Sequence, residues 1–326
     1  MAMDQAIRGL PEQFAWVPVI EREDALSEQT RGVVVCGMGG SALAPDMLTA
    51  GDPAWNGGGN IVVHRGYGIP ELSDLDDRLV IASSYSGNTE ETLDAYDAAQ
   101  AAGLATAVIT TGGALLERAQ RDDIPHIVLP ATGIQPRMAI GYSILAIAAL
   151  LRHGRALATL GTLAARLDTA ILEEGGAALA GALGDRTPLL YASDRNAAIA
   201  RFWKIAINET GKNPAFMNTI PELNHNEMTG FDVGVVAREL LQRFAVVMLT
   251  DGEDDPRIVR RAAALQELLQ ERGIPVHEVA LAGDERFLRL FSSVGSACWT
   301  AYHLAMRDRA EPEQVPMVEA FKQRIV

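Results

Sequence analysis

Ser84, Ser86 and Thr89 set three hydroxyls around Gly87, between the apolar run Leu79-Val80-Ile81-Ala82 and a helix-patterned stretch over 89–102. The first turn of a helix leaves four backbone N–H groups unpaired and carries a partial positive charge. Hydroxyls gathered at such a terminus make an anion seat that needs no cation, and the ligand it suits is a phosphate monoester. An ordinary N-cap would use one hydroxyl. This loop offers several.

A second loop, Gly37-Met38-Gly39-Gly40-Ser41-Ala42, follows the apolar run Val33-Val34-Val35-Cys36 and satisfies the dinucleotide pattern Gly-x-Gly-x-x-Gly/Ala. A nicotinamide site usually places Asp or Glu at the end of the next strand, but here Ile61-Val62-Val63 is followed by His64-Arg65. Arg65 keeps open a reading in which an arginine meets a 2′-phosphate. In the competing reading the glycines admit a sugar close to the backbone while Ser41 caps a helix over 42–49. No Gly-Lys-Ser/Thr follows, which excludes a Walker loop.

Four further side chains could move protons or charge. Arg137 stands at the start of an apolar helix, where the macrodipole disfavours a cation and an anionic intermediate would compensate it; a solvated arginine at a helix end is the alternative. Glu209 falls near the end of a helix closed by Gly211, and a carboxylate there, if also partly buried, should hold its proton more tightly, as a general base requires; with 42 acidic residues in the chain, a surface glutamate is the alternative. His225, in Pro221-Glu222-Leu223-Asn224-His225-Asn226-Glu227, is the single histidine of a polar cluster, so it reads as an acid/base group or as a loop histidine and not as part of a zinc site. Lys322, by itself, reads as a surface residue of a terminal helix.

These residues must be positioned by a regular scaffold. Strand-like runs at 33–36, 61–64, 79–82, 105–109 and 127–129 alternate with helix-period segments, which predicts a mostly parallel sheet covered by helices. The rhythm pauses over an Ala/Leu/Gly-rich helical stretch at 155–184 and restarts at 189–192, 244–249 and 276–279. With 326 residues, two domains are expected, 1–153 and 154–326. They look like degenerate copies: strand, polar turn, helix and glycine over 79–103 are echoed over 244–273. The second turn, however, reads Asp251-Gly252-Glu253-Asp254-Asp255, whose carboxylates would repel phosphate. One phosphate site per chain is the expectation.

Composition narrows the class. A net charge of −14 argues against nucleic acid and acidic membrane surfaces. The two cysteines, Cys36 and Cys298, fit a reducing cytoplasm and rule out a disulfide framework. The first residues lack a signal-peptide core, and the longest apolar stretch, 138–151, is too short to span a bilayer.

Taken together, the Gly37 loop, Ser84-Tyr85-Ser86-Gly87-Asn88-Thr89, Pro136-Arg137, Asn208-Glu209 and the 221–227 motif resemble the bifunctional phosphoglucose/phosphomannose isomerase family, built from two sugar-isomerase (SIS) domains. The resemblance runs nearly end to end. It implies two flavodoxin-like α-β-α sandwiches with parallel sheets, the second carrying Glu209, His225 and the helix of Lys322. It implies further that Gly39, Gly40, Ser41, Ser84, Ser86 and Thr89 bind a sugar phosphate and that Arg137 steadies an enediolate. Glu209 would move a proton between C1 and C2, with His225 and Lys322 assisting ring opening. It implies no metal and no cofactor, and a homodimer in which His225 serves the adjacent subunit. A phosphosugar-binding sensor without catalysis, or an isomerase of another sugar phosphate, would share these features.

Overall fold

The computed structural model describes residues 1–27, 31–53, 61–232, 234 and 238–325. They form two compact units, Arg8–Leu167 with Met1, and Asp168–Val326 with Ala2–Ile7. After α1 (Met3–Arg8) and α2 (Leu10–Gln13), strands and helices alternate as β1 (Gly32–Cys36), α3 (Gly39–Gly51), β2 (Ile61–His64), β3 (Arg78–Ser83), α4 (Glu90–Ala101), β4 (Thr106–Thr110), α5 (Gly113–Arg121) and β5 (His126–Val128). Three helices, α6 (Ile140–Leu150), α7 (Gly154–Gly161) and α8 (Leu163–Arg166), complete the first unit.

All five strands of its sheet are parallel, in the order β2-β1-β3-β4-β5. Strands β1, β3 and β4 are buried along their whole length, and so they read as continuous apolar runs without alternation, the signature of a parallel sheet covered on both faces. The apolar stretch near 140 is a core helix, since every residue of α6 except Tyr142 and Ala149 is buried. No described helix is long and apolar enough to cross a membrane.

The second unit runs α9 (Thr169–Leu183), β6 (Thr187–Ser193), α10 (Ala197–Glu209), β7 (Phe216–Ile220), α11 (Arg238–Leu241), β8 (Phe244–Thr250), α12 (Pro256–Glu271), β9 (Val276–Ala280), α13 (Arg286–Arg307) and α14 (Pro316–Ile325). Its four strands are parallel in the order β7-β6-β8-β9, which repeats the first four positions of the other sheet. The repeat extends to the turns: α4 and α12 are both followed by a left-handed glycine, Gly103 and Gly273. Tyr191, Leu223, Val246, Leu265 and Leu269 sit in the core between the sheet and α12. On the other face α13 packs on α10, where Trp203 Nε1 donates to Ser293 Oγ at 2.9 Å.

Strand β7 is the element that the apolar pattern did not announce. Its Phe-Met-Asn-Thr-Ile sequence carries polar residues in the middle, because it is a half-exposed edge strand whose Asn218 faces a carboxylate.

Candidate functional site

In a doubly wound sheet the crevice opens where the strand order reverses, beyond the carboxyl ends of the strands. In the first unit that point lies between β1 and β3, whose ends are in register at Cys36 and Ala82. The Gly37 loop leaves one of these strands and the Ser84 loop the other.

The Ser84 loop is organised by its own hydroxyls. Ser84 is buried, and its Oγ accepts from the Gly87 N–H at 3.1 Å and lies 2.8 Å from Thr89 Oγ1. Ser86 Oγ accepts from the Asn88 N–H at 3.3 Å. Thr89 is the N-cap residue of α4, yet its side chain makes no capping bond to the helix. The hydroxyls therefore do not serve as ordinary caps, and the start of α4 carries no side-chain cap.

A third loop braces this arrangement. Gly87 has φ +71°, and a Cβ there would stand 1.8 Å from the Gly112 carbonyl oxygen. Tyr85 O accepts from Thr111 N at 3.1 Å and from Thr111 Oγ1 at 2.7 Å, while Asn88 Oδ1 accepts from the Ala114 N–H at 3.0 Å. The turn after β4 is thus part of the site's frame. Its residues gave no sequence signal, because their partners lie 26 positions away along the chain.

Ser41 is not a helix cap. Helix α3 begins at Gly39 with Met38 as N-cap, so Ser41 lies inside the first turn, where its Oγ accepts from the Tyr85 N–H at 3.3 Å. The serine ties the two loops together. Gly40 serves a second contact: a Cβ at that position would meet Pro136 O at 2.9 Å and Arg137 Cα at 3.1 Å. Arg137 is consequently held against the glycine loop, in a short 3-10 turn (Pro136–Met138) ahead of α6, and is buried. Gln13, buried on α2, fixes that turn by donating to Met138 O at 2.7 Å and accepting from the Gly141 N–H at 3.0 Å. A lone glutamine near the N-terminus carries no motif that would announce this role.

The first unit therefore brings Gly39, Gly40, Ser41, Ser84, Ser86, Thr89 and Arg137 to one strand-end crevice. Arg65, the residue that kept a 2′-phosphate reading open, is tied to Asp46 and to Ala42 O of α3.

In the second unit Glu209 is the last residue of α10 and is half-buried; its carbonyl oxygen accepts from Lys212 Nζ, and Asn208 Oδ1 beside it accepts from the Ala215 N–H at 2.8 Å. His225 ends a 3-10 turn (Glu222–His225), is exposed, and opens on a cavity of about 610 Å³ that Arg257, Arg260 and Arg261 also line. Lys322 lies on α14 and pairs with Glu319 at 2.9 Å, with 61% of its side chain exposed.

The place that Ser84–Thr89 holds after β3 is taken after β8 by an ion network. Asp251, fully buried, accepts from Arg286 at 2.6 Å; Glu253 pairs with Arg289 at 2.5 Å and Arg195 at 2.8 Å. Asp254 accepts from Ser193 Oγ at 2.7 Å, and burial raises its affinity for a proton. Carboxylates and guanidinium groups occupy this crevice in place of hydroxyls. Among the described residues no group of three or more His, Cys, Asp or Glu is arranged to hold a metal ion.

Residues 173–325 match the family model of the bacterial phospho-glucose isomerase C-terminal SIS domain. A bifunctional phosphoglucose/phosphomannose isomerase of Caldicellulosiruptor bescii is 32% identical over 99% of this chain and 98% of its own length. One of Aquifex aeolicus is 28% identical over 98% and 97%. Among solved structures, tagatose-6-phosphate ketose/aldose isomerase from Escherichia coli superposes with a TM-score of 0.64 at 17% identity, over 96% of this chain and 95% of that one, a likeness of fold.

Proposed function

The chain belongs to the bifunctional phosphoglucose/phosphomannose isomerase family, and we propose the residues through which it performs that family's reaction. It is an enzyme, a phosphosugar isomerase that interconverts glucose 6-phosphate or mannose 6-phosphate with fructose 6-phosphate. The observation that carries the assignment of residues is the cluster of hydroxyls at the β1/β3 crevice, uncommitted to helix capping and flanked by a buried arginine.

In the proposed mechanism Ser84, Ser86 and Thr89 hold the phosphate, and the glycine loop with Ser41 admits the sugar. Once the ring is open, with His225 and Lys322 as the acid/base pair, Glu209 takes the C2 proton of the aldose. The electron pair forms a cis-enediolate whose oxygen charge Arg137 stabilises. Transfer of the O2 proton to O1, with return of the carbon-bound proton from Glu209 to C1, gives the ketose. Glucose and mannose phosphates share this enediol, so one carboxylate serves both if the proton returns to either face at C2. The donor set calls for neither metal nor nucleotide.

A homodimer, with His225 completing the adjacent subunit's site, belongs to the same proposal. Its support is α14, which buries none of its residues and exposes Met317, Val318, Phe321 and Ile325.

Glu209→Gln tests the reading: the amide keeps shape and phosphosugar affinity but removes the base. Isomerisation and exchange of the C2 proton with deuterated solvent should both disappear. Wild-type turnover in the variant would refute the assignment.

A further inference from the structure

His225 is exposed, yet the backbone beneath it is fixed on both sides. Leu223, two residues before it, is fully buried in the core of the second unit, and Phe231 beyond it joins the same core. Glu227, two residues after it, is half-buried and accepts two hydrogen bonds. Tyr191 OH donates to Oε1 at 2.5 Å, and Asn218 Nδ2 donates to Oε2 at 2.5 Å.

The two donors are register partners. Tyr191 on β6 stands directly beside Asn218 on β7, so both side chains leave the same face of adjacent strands and converge on one carboxylate. Asn226 closes the gap between imidazole and strap: its Oδ1 accepts from the Glu227 N–H at 2.5 Å and its Nδ2 donates to Glu222 Oε1 at 2.7 Å. Asn218 is itself oriented, because its Oδ1 accepts from the Thr219 N–H at 2.8 Å.

We propose that Glu227 is the positioning residue for His225, its carboxylate strapping the turn that carries the imidazole to paired positions on β6 and β7. The proposal rests on the role assigned to His225 above. Each part of the strap has a physical reason. A carboxylate accepts from both donors at once, whereas an amide at the same place would set its own NH₂ against one of them. Tyr191 is buried, and burial followed by the hydrogen bond and charge of Glu227 pushes its phenol well above its ordinary range, so it remains a donor at any working pH. A misplacement of about 1 Å in a proton-transferring group is enough to cost on the order of a hundredfold in rate.

The test uses the full-length enzyme with isotopically labelled histidine. The chain has six histidines, and His225→Ala assigns the His225 imidazole signal by its disappearance. Glu227→Gln should move or broaden that signal and lower kcat by about tenfold to a hundredfold with little change in KM. In a His225→Ala background the same substitution should leave kcat within about twofold, because its effect is transmitted through the imidazole. Tyr191→Phe removes one of the two bonds at nearly constant volume and should give an intermediate displacement; it also serves if Glu227→Gln does not fold. An unmoved His225 signal in both variants, or an equal loss of kcat with and without His225, overturns the proposal. Should His225→Ala retain full turnover, the acid/base role of His225 fails, while the imidazole signal still decides whether Glu227 positions it.

Discussion

Replacing Gly87 by alanine is the sharpest probe of the proposed phosphate seat. The residue is left-handed at φ +71°, and its Cβ would lie 1.8 Å from Gly112 O, where ordinary contact begins at 3.4 Å. One loop must therefore move by the difference, about 1.6 Å, on top of about 1–2 kcal/mol for a left-handed alanine. Hydrogen bonds between such groups tolerate a few tenths of an ångström, so the Ser84–Thr89 contact of 2.8 Å and the Gly87-to-Ser84 bond of 3.1 Å do not survive a shift of that size. If two donors to a phosphate dianion are lost, at about 1.5–3 kcal/mol each for a charged acceptor, affinity falls by roughly a hundredfold to ten-thousandfold. Equilibrium titration with inorganic phosphate and with fructose 6-phosphate reads the loss, and a thermal melt shows that the protein remains folded. A Gly87→Ala protein that binds both ligands within about threefold of wild type would show that the loop does not make the site.

Thr89→Ala and Ser86→Ala should weaken inorganic phosphate and sugar phosphates alike in titration. Asp251→Ala should leave phosphate affinity of the folded protein unchanged while lowering denaturant stability by about 3–5 kcal/mol, since it strands buried Arg286. Hydrogen bonds from Arg195 and then Arg289 hold the Glu253 carboxyl down at about 2, from an ordinary 4.5. Its contribution to stability is therefore present above pH 4.5 and is lost as pH falls towards 2; the acid limb of thermal midpoint against pH should flatten in Glu253→Gln. Activity should survive exhaustive chelation and need no added nucleotide, and zinc-dependent recovery after chelation would contradict the carboxylate-base mechanism.

The parts of this molecule legible in the sequence are those in which one residue type answers to one environment. Val33-Val34-Val35 and Val80-Ile81-Ala82 are buried on both faces, and their shortness, β-branched content and flanking turns mark them as strands of a covered sheet. The hydroxyls of Ser84, Ser86 and Thr89 were visible because they fall in one turn. Strand β7 was hidden because it is a half-exposed edge strand with Asn218 and Thr219 near its centre and only Ile220 fully buried, so it shows no continuous apolar run. Gln13, Thr111 and Tyr191 escaped for a different reason. Each acts on a residue 26 or more positions away, and single-sequence patterns carry no information about that distance.

The hydroxyl seat has a consequence for the medium in which it works. Binding that relies on long-range attraction between exposed charges weakens as salt is added, because counterions screen it beyond about 8 Å at physiological ionic strength. A neutral donor at about 3 Å from its acceptor leaves no room for a screening ion, so the hydroxyls' share of the proposed grip on phosphate should change little between dilute and concentrated salt. The chain can therefore keep a net charge of −14, which favours solubility, without forfeiting an anionic substrate.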